Sequence, residues 1–191
     1  MNNIFKKIKN TAVVIAGFCI FAAFAIACAP DTEPKKALSY EQKIQKINSI
    51  KAETDRRLDE YKQVNLADGS DEEARWKTDA YKHGNELRLV KEVFAIDGKV
   101  YDNLYYFDTG YLHFVRFIMN ENNEEDTLTY YFWVQELLKS EKNGNKVEIL
   151  GEKKDELIRK FLDKEKSFLQ MMKTQEVLPN LKFRPQDFLY E

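Results

Sequence analysis

Lys99-Val100-Tyr101-Asp102-Asn103-Leu104-Tyr105-Tyr106-Phe107-Asp108-Thr109-Gly110-Tyr111-Leu112-His113-Phe114-Val115-Arg116-Phe117-Ile118-Met119 decides the fold of this chain. Two runs of aromatic and β-branched residues, which suit a pleated and half-buried surface, flank the triplet Asp108-Thr109-Gly110. Gly accepts a positive φ and Asp bonds to the turn backbone, so the triplet joins residues 99–107 to residues 111–119 as an antiparallel hairpin. Upstream, Trp76, Tyr81, Leu87, Leu89, Val93 and Phe94 carry the strand signal, broken at His83-Gly84-Asn85 and at Asp97-Gly98. Downstream, residues 127–138 follow an acidic loop with Glu124, Glu125 and Asp126, and a short strand over residues 146–150 follows Asn143-Gly144-Asn145. The result is an antiparallel β-meander of four to five strands.

Two segments change the period from two to 3.6. Ser39 and Gln42 have capping-box spacing, and Ile44, Ile47, Ile50, Thr54, Leu58 and Tyr61 recur at helical steps, which predicts one long amphipathic helix over residues 40–63. Leu157, Ile158, Phe161, Leu162, Phe168, Leu169 and Met172 predict a second over residues 152–173. Each apolar stripe needs a surface to cover, so the fold class is α+β, with an N-terminal and a C-terminal amphipathic helix flanking the meander and both packed on one sheet face. Residues 65–73 read as a turn-rich segment. The terminal stretch 177–191, with Leu178, Leu181, Phe183, Phe188, Leu189 and Tyr190, is too apolar for a free tail and is expected to lie against the domain.

The first 27 residues carry a different message. Lys6, Lys7 and Lys9 precede an uncharged stretch from Thr11 that ends in Ala25-Ile26-Ala27-Cys28, the layout of a secretory leader with small residues before the cut. A Cys just after that cut resembles the bacterial lipobox. The resemblance implies removal of residues 1–27, a diacylglyceryl group on Cys28 and attachment to a membrane of the cell envelope, at the outer membrane, on its periplasmic side or at the cell surface. Residues 28–38 then form a polar tether and residues 39–191 a single α+β domain. Asp31 and Glu33 loosely resemble the acidic export signal of surface lipoproteins in Bacteroidetes.

A second resemblance covers residues 65–138. Asp68-Gly69-Ser70-Asp71-Glu72-Glu73-Ala74, followed by Tyr105-Tyr106-Phe107, Gly110, Leu112, Phe114 and Val115, is similar to a pattern of small uncharacterised secreted proteins and lipoproteins of Bacteroidetes. It implies a sheet of hairpins in an envelope protein, and brings no activity or site residues with it.

Charge and composition exclude several classes. Residues 1–27 hold three of the 30 basic side chains and none of the 32 acidic ones, so 27 bases face 32 acids in the remainder, interleaved along the chain. No single-signed face emerges for nucleic acid. Cys19 falls in the leader and Cys28 would carry lipid, leaving no disulfide, which a domain of this size does not need. Only His83 and His113 are available as histidine bases or metal ligands, and they are not at ligand spacing; no cofactor or metal is expected. The acidic run after Asp68 lacks EF-hand spacing. Asp108-Thr109-Gly110 is also the triplet of aspartic proteases, but it occurs once and reads as a turn.

Aromatic residues are the compositional signal with binding potential. Tyr105, Phe107, Tyr111, His113, Tyr131 and Trp133, with Tyr101 and Phe117, alternate along adjacent strands and form the candidate ligand face, either a second core layer or an exposed platform. Asp126-Thr127-Leu128 resembles the O-glycosylation triplet of exported Bacteroidetes proteins, making Thr127 the candidate acceptor. The functional expectation is a non-catalytic, lipid-anchored envelope protein that binds a protein or glycan partner. The alternatives are a hydrolase built on carboxylates such as Asp102 and Asp108, and an accessory subunit of an outer-membrane complex.

Overall fold

A computed structural model describes residues 37–70, 74–96, 99–121 and 124–174. The leader, Cys28, the tether up to residue 36, the Asp97-Gly98 turn and the terminal stretch 177–191 lie outside the described residues. The chain divides into two units, Met1–Leu38 and Ser39–Glu191. Helix α1 (Tyr40–Arg56) leads through a 3-10 turn (Leu58–Glu60) into eight strands: β1 (Lys62–Ser70), β2 (Ala74–His83), β3 (Glu86–Ile96), β4 (Lys99–Asp108), β5 (Tyr111–Glu121), β6 (Glu124–Trp133), β7 (Glu136–Lys142) and β8 (Asn145–Lys146). Helix α2 (Gly151–Thr174) follows. The strands pair in chain order as one antiparallel sheet.

The α+β meander between two helices is as the sequence predicts, but the sheet has eight strands rather than four to five. Two features hide the extra strands. Residues 65–73 read as turn because Asn65, Asp68 and Gly69 are poor strand formers, yet most of them belong to β1, an edge strand with one side open to water. Residues 127–138 read as one strand because the turn that splits them, Val134-Gln135, contains neither Gly nor Asn. Both residues nevertheless take positive φ, 45° and 68°, as do Thr109 and Gly110 at 49° and 83°, the pattern of a type I′ hairpin. The first helix also ends at Arg56 rather than near residue 63, and Tyr61 packs beside the His83 ring, 5.9 Å between centroids.

A 25-residue period underlies the sheet. Three hairpins start at Ala74, Lys99 and Glu124; Tyr81, Tyr106 and Tyr131 are equivalent, as are Leu87, Leu112 and Leu137. In each hairpin the register slips by one residue just after the turn. Tyr81 opposes Leu89 while Lys82 opposes Leu87, leaving Arg88 as an extra residue; His113 and Leu138 take that position in the next two hairpins. These are β-bulges, which bend a strand and strengthen its twist. They also let Leu112 face one side of the sheet and Phe114 the other.

The helices occupy opposite faces, not one. Leu157, Phe161, Phe168 and Met171 of α2 join Leu87, Val90, Tyr105, Phe107, Leu112, Val115, Phe117, Tyr130, Phe132 and Leu137 in the larger core. Ile47 of α1 joins Leu89, Tyr106 and Phe114 in a smaller core on the other side. Both faces of the sheet are apolar, so each helix finds its own surface to cover. Ser39 caps α1 through the reciprocal bonds its spacing predicts: the Gln42 amide donates to Ser39 Oγ at 3.2 Å, and the Ser39 amide donates to Gln42 Oε1 at 2.9 Å. On this face the three repeated tyrosines each lie under a lysine, Lys91 on Tyr81, Lys51 on Tyr106 and Lys139 on Tyr131, at 5.1–5.7 Å from the ring centre.

Candidate functional site

Helix α2 runs for six residues before its first buried side chain, Leu157. Under that uncovered first turn and a half, the sheet is roofed instead by residues 147–150, a strap without regular structure between β8 and α2. Ser140 of β7 pins the strap at its start: its carbonyl accepts from the Val147 amide at 3.0 Å and its hydroxyl donates to the Val147 carbonyl at 2.6 Å. Gly144 and Gly151, with φ of +77° and +59°, turn the chain into and out of this region.

Between strap and sheet lies a cavity of about 450 Å³, within the size range of small-molecule sites. Its lining includes Tyr101, Phe117, Met119, Leu128, Tyr130 and Ile149. Lys142, Glu148, Lys153 and Asp126 are among the charged residues that border it. The deepest aromatic groups are engaged with one another. Phe117 stacks on Phe161 of α2 with 18° between planes, and stands edge-on to Tyr105 and Tyr130, each 6.0 Å away. At the mouth, Leu150 is 67% exposed and Val147 37%.

Further along the same face, a set of polar groups is enclosed in the larger core. Lys164 of α2, fully buried, donates to Glu92 Oε1 at 2.6 Å, and the Tyr105 hydroxyl donates to Glu92 Oε2 at 2.8 Å. Asn103 stands opposite Glu92 in the β3–β4 register and is 1% exposed; its Oδ1 has no hydrogen-bond partner among the described residues. Burial lowers the Lys164 ammonium below its ordinary value, opposed by Glu92. One residue on, Glu165 accepts the Leu112 amide at 2.8 Å, so α2 binds the sheet at two adjacent polar points; burial raises this carboxyl.

These groups make a pH prediction. Burial first, and then a neighbouring carboxylate, raises Tyr105 (beside Glu92) and Tyr106 (beside Asp55), and pushes Tyr131 (beside Glu141) up to about 12. Unfolded tyrosines ionise near pH ~10. Above that pH the folded chain holds protons that the unfolded chain has lost, so the stability they contribute is complete below pH ~10 and declines as pH climbs toward their folded values. Lys164 acts oppositely: with its folded value lowered, stability rises with pH just below ~10.5. Urea midpoints are expected to fall between pH 10 and 12, and Tyr105→Phe to flatten that fall. An unchanged slope in the variant would contradict it.

The six residues of the candidate ligand face do not share a face. Tyr105 and Phe107 are buried in the core under α2. Tyr131 and Trp133 pack on the smaller core on the α1 side. Tyr111, 40% exposed, begins β5, and His113 is the bulge residue, its ring 5.5 Å from Trp133 and its Nδ1 3.3 Å from the Phe132 carbonyl. Burial lowers the His113 value, which favours the neutral ring. Thr127 borders the cavity, and its backbone amide donates to Asn143 Oδ1 at 2.7 Å. Asp102 and Asp108 stand six residues apart along β4, about 20 Å at ~3.3 Å per residue, too far for a glycosidase pair. Asp108 pairs instead with Arg88. Among the described residues there is no cluster of His, Cys, Asp and Glu that could hold a metal, and no helix long and apolar enough to cross a membrane.

Reading the strands one at a time missed the cavity, because its lining comes from four strands, the strap and the start of α2. The buried ion pair left a clearer trace: Lys164 sits in the series Leu157, Phe161, Lys164, Phe168, Met171, whose alternating steps of four and three define one helix face. Comparison with protein-family models, with curated proteins and with solved structures returns no match for this chain.

Proposed function

We propose that this chain is a non-catalytic cell-envelope lipoprotein, held to the membrane through a lipid on Cys28, whose α+β domain binds a ligand in the cavity beneath residues 147–150. The observation that carries the binding half is the cavity itself, an apolar space of about 450 Å³ with exposed Leu150 and Val147 at its mouth. The anchoring half draws on the lipobox-like run ending at Cys28. The non-catalytic reading is supported by the setting of the chemical groups: His113 is enclosed, and Asp102 and Asp108 are far apart. A glycan on Thr127 would stand at the border of the same cavity.

Fractionation of a Gram-negative host expressing the chain and its Cys28→Ala variant tests the anchor. Native protein is expected in the membrane fraction with the mass of lipid added and residues 1–27 removed, and the variant without lipid. Equal membrane retention without any lipid mass on the native chain would defeat the proposal. Protease added to intact cells then distinguishes the outer surface from the periplasmic side.

A further inference from the structure

We infer that the cavity takes the single hydrocarbon chain of a zwitterionic amphiphile, of the lysophospholipid type, with the head group held at the mouth. This deepens the binding reading above and rests on it. Three observations lead there. The aromatic rings that line the cavity offer little free surface: Phe117 and Tyr130 meet Phe161, Phe117 also meets Tyr105, and Tyr101 is 1% exposed. Few ring faces remain for stacking a sugar or a planar ligand. The apolar part of the remaining wall is aliphatic, with Met119, Leu128 and Ile149, and Met119 adapts readily to an alkyl chain of no fixed shape.

The second observation is volume. About 450 Å³ is in the lower part of the range for small-molecule sites, which suits one chain rather than two. The third is charge at the mouth. Lys142 and Glu148 border the cavity, one cation and one anion, and neither has an ion-pair partner among the described residues. A head group carrying both a phosphate and an ammonium complements that pair, with phosphate toward Lys142 and ammonium toward Glu148, whereas a fatty acid complements half of it. Leu150 and Val147, exposed beside these charges, extend the apolar path to the surface.

The test uses the full lipidated chain in nanodiscs of a diacyl phosphatidylcholine. The probe is lysophosphatidylethanolamine with a diazirine at the end of its acyl chain. Irradiation and peptide mass spectrometry are expected to place label on the peptides containing Phe117, Met119, Leu128 and Ile149. Leu128→Trp and Ile149→Trp, each checked for a native melting profile, fill the space from sheet and strap respectively, and each is expected to cut that labelling at least fivefold. The two variants together keep the test decisive if one of them folds poorly. Lys142→Glu with Glu148→Lys keeps both signs and is expected to retain labelling, whereas Lys142→Glu alone is expected to lose about fivefold. A fatty acid with the same diazirine is expected to label several-fold less than the lysolipid.

Label scattered over outer surfaces, or unchanged by both tryptophans, would overturn the chain-binding site. Equal labelling by the fatty acid would overturn the zwitterionic head group. Association with the nanodisc is scored separately, so a protein that stays attached yet shows no cavity label loses the ligand and keeps the anchor.

Discussion

Replacing Glu92 by alanine is expected to lower the free energy of unfolding by about 3–5 kcal/mol. The Lys164 ammonium is fully buried, and Glu92 is its acceptor at 2.6 Å. Without the carboxylate the ammonium is left buried without its anionic partner, close to the rings of Tyr105 at 5.7 Å and Phe168 at 5.0 Å. The Tyr105 hydroxyl loses its acceptor as well. Lys164→Met, which strands the carboxylate instead, is expected to cost a similar amount. The double variant Glu92→Leu with Lys164→Met removes both charges and fills comparable volume, and should recover most of the loss, because replacing a whole buried pair by apolar groups is often neutral or stabilising. Urea unfolding of the four chains at pH 7 checks the cycle. Two singles that each lose under 1 kcal/mol, or a double that simply adds them, would show that the pair is not coupled in the way its geometry requires.

Phe161→Ala is expected to cost about 3–5 kcal/mol, the range for deleting a large aromatic side chain from a packed core. Phe161 is 1% exposed and its ring lies 5.0–5.9 Å from those of Phe132, Tyr130 and Phe117, which belong to three different strand positions on β5 and β6. Its removal unfastens α2 from the middle of the sheet and leaves a void that the surrounding rings, each held by other neighbours, cannot collapse to fill. The void would adjoin the floor of the ligand cavity, since Phe117 and Tyr130 line both. Thermal or urea unfolding gives the magnitude. A loss below 1.5 kcal/mol would mean that the α2 face is loosely packed and that the helix is held chiefly by its polar contacts.

How much of this was legible beforehand depended on whether the signal was local. The Asp108-Thr109-Gly110 hairpin, the Ser39 capping box and the α2 stripe are set by residues within a few positions of each other, and all three are formed. The Val134-Gln135 turn was not legible, because its left-handed backbone is imposed on residues that disfavour it by the pairing of β6 with β7. The candidate aromatic face failed for a related reason. A count of two along the chain is correct only while the register is unbroken, and each bulge, as at His113, reverses the side on which later residues appear. Tyr105 and Tyr131 thus ended on opposite faces; it is Tyr106, the neighbour of Tyr105, that is equivalent to Tyr131 in the 25-residue repeat that the sequence does contain.

The sequence by itself determined the α+β class, the antiparallel meander and the presence of two helices that each needed a surface, because propensity, turn chemistry and periodicity act over short spans of chain. Tertiary structure alone decided that those helices take opposite faces, that Lys164 meets Glu92 inside the core, and that a strap roofs a cavity where α2 has not yet reached the sheet. Those outcomes join residues as many as 72 positions apart, and they follow from which side of a bulged strand a side chain emerges on. That side is a property of the assembled register.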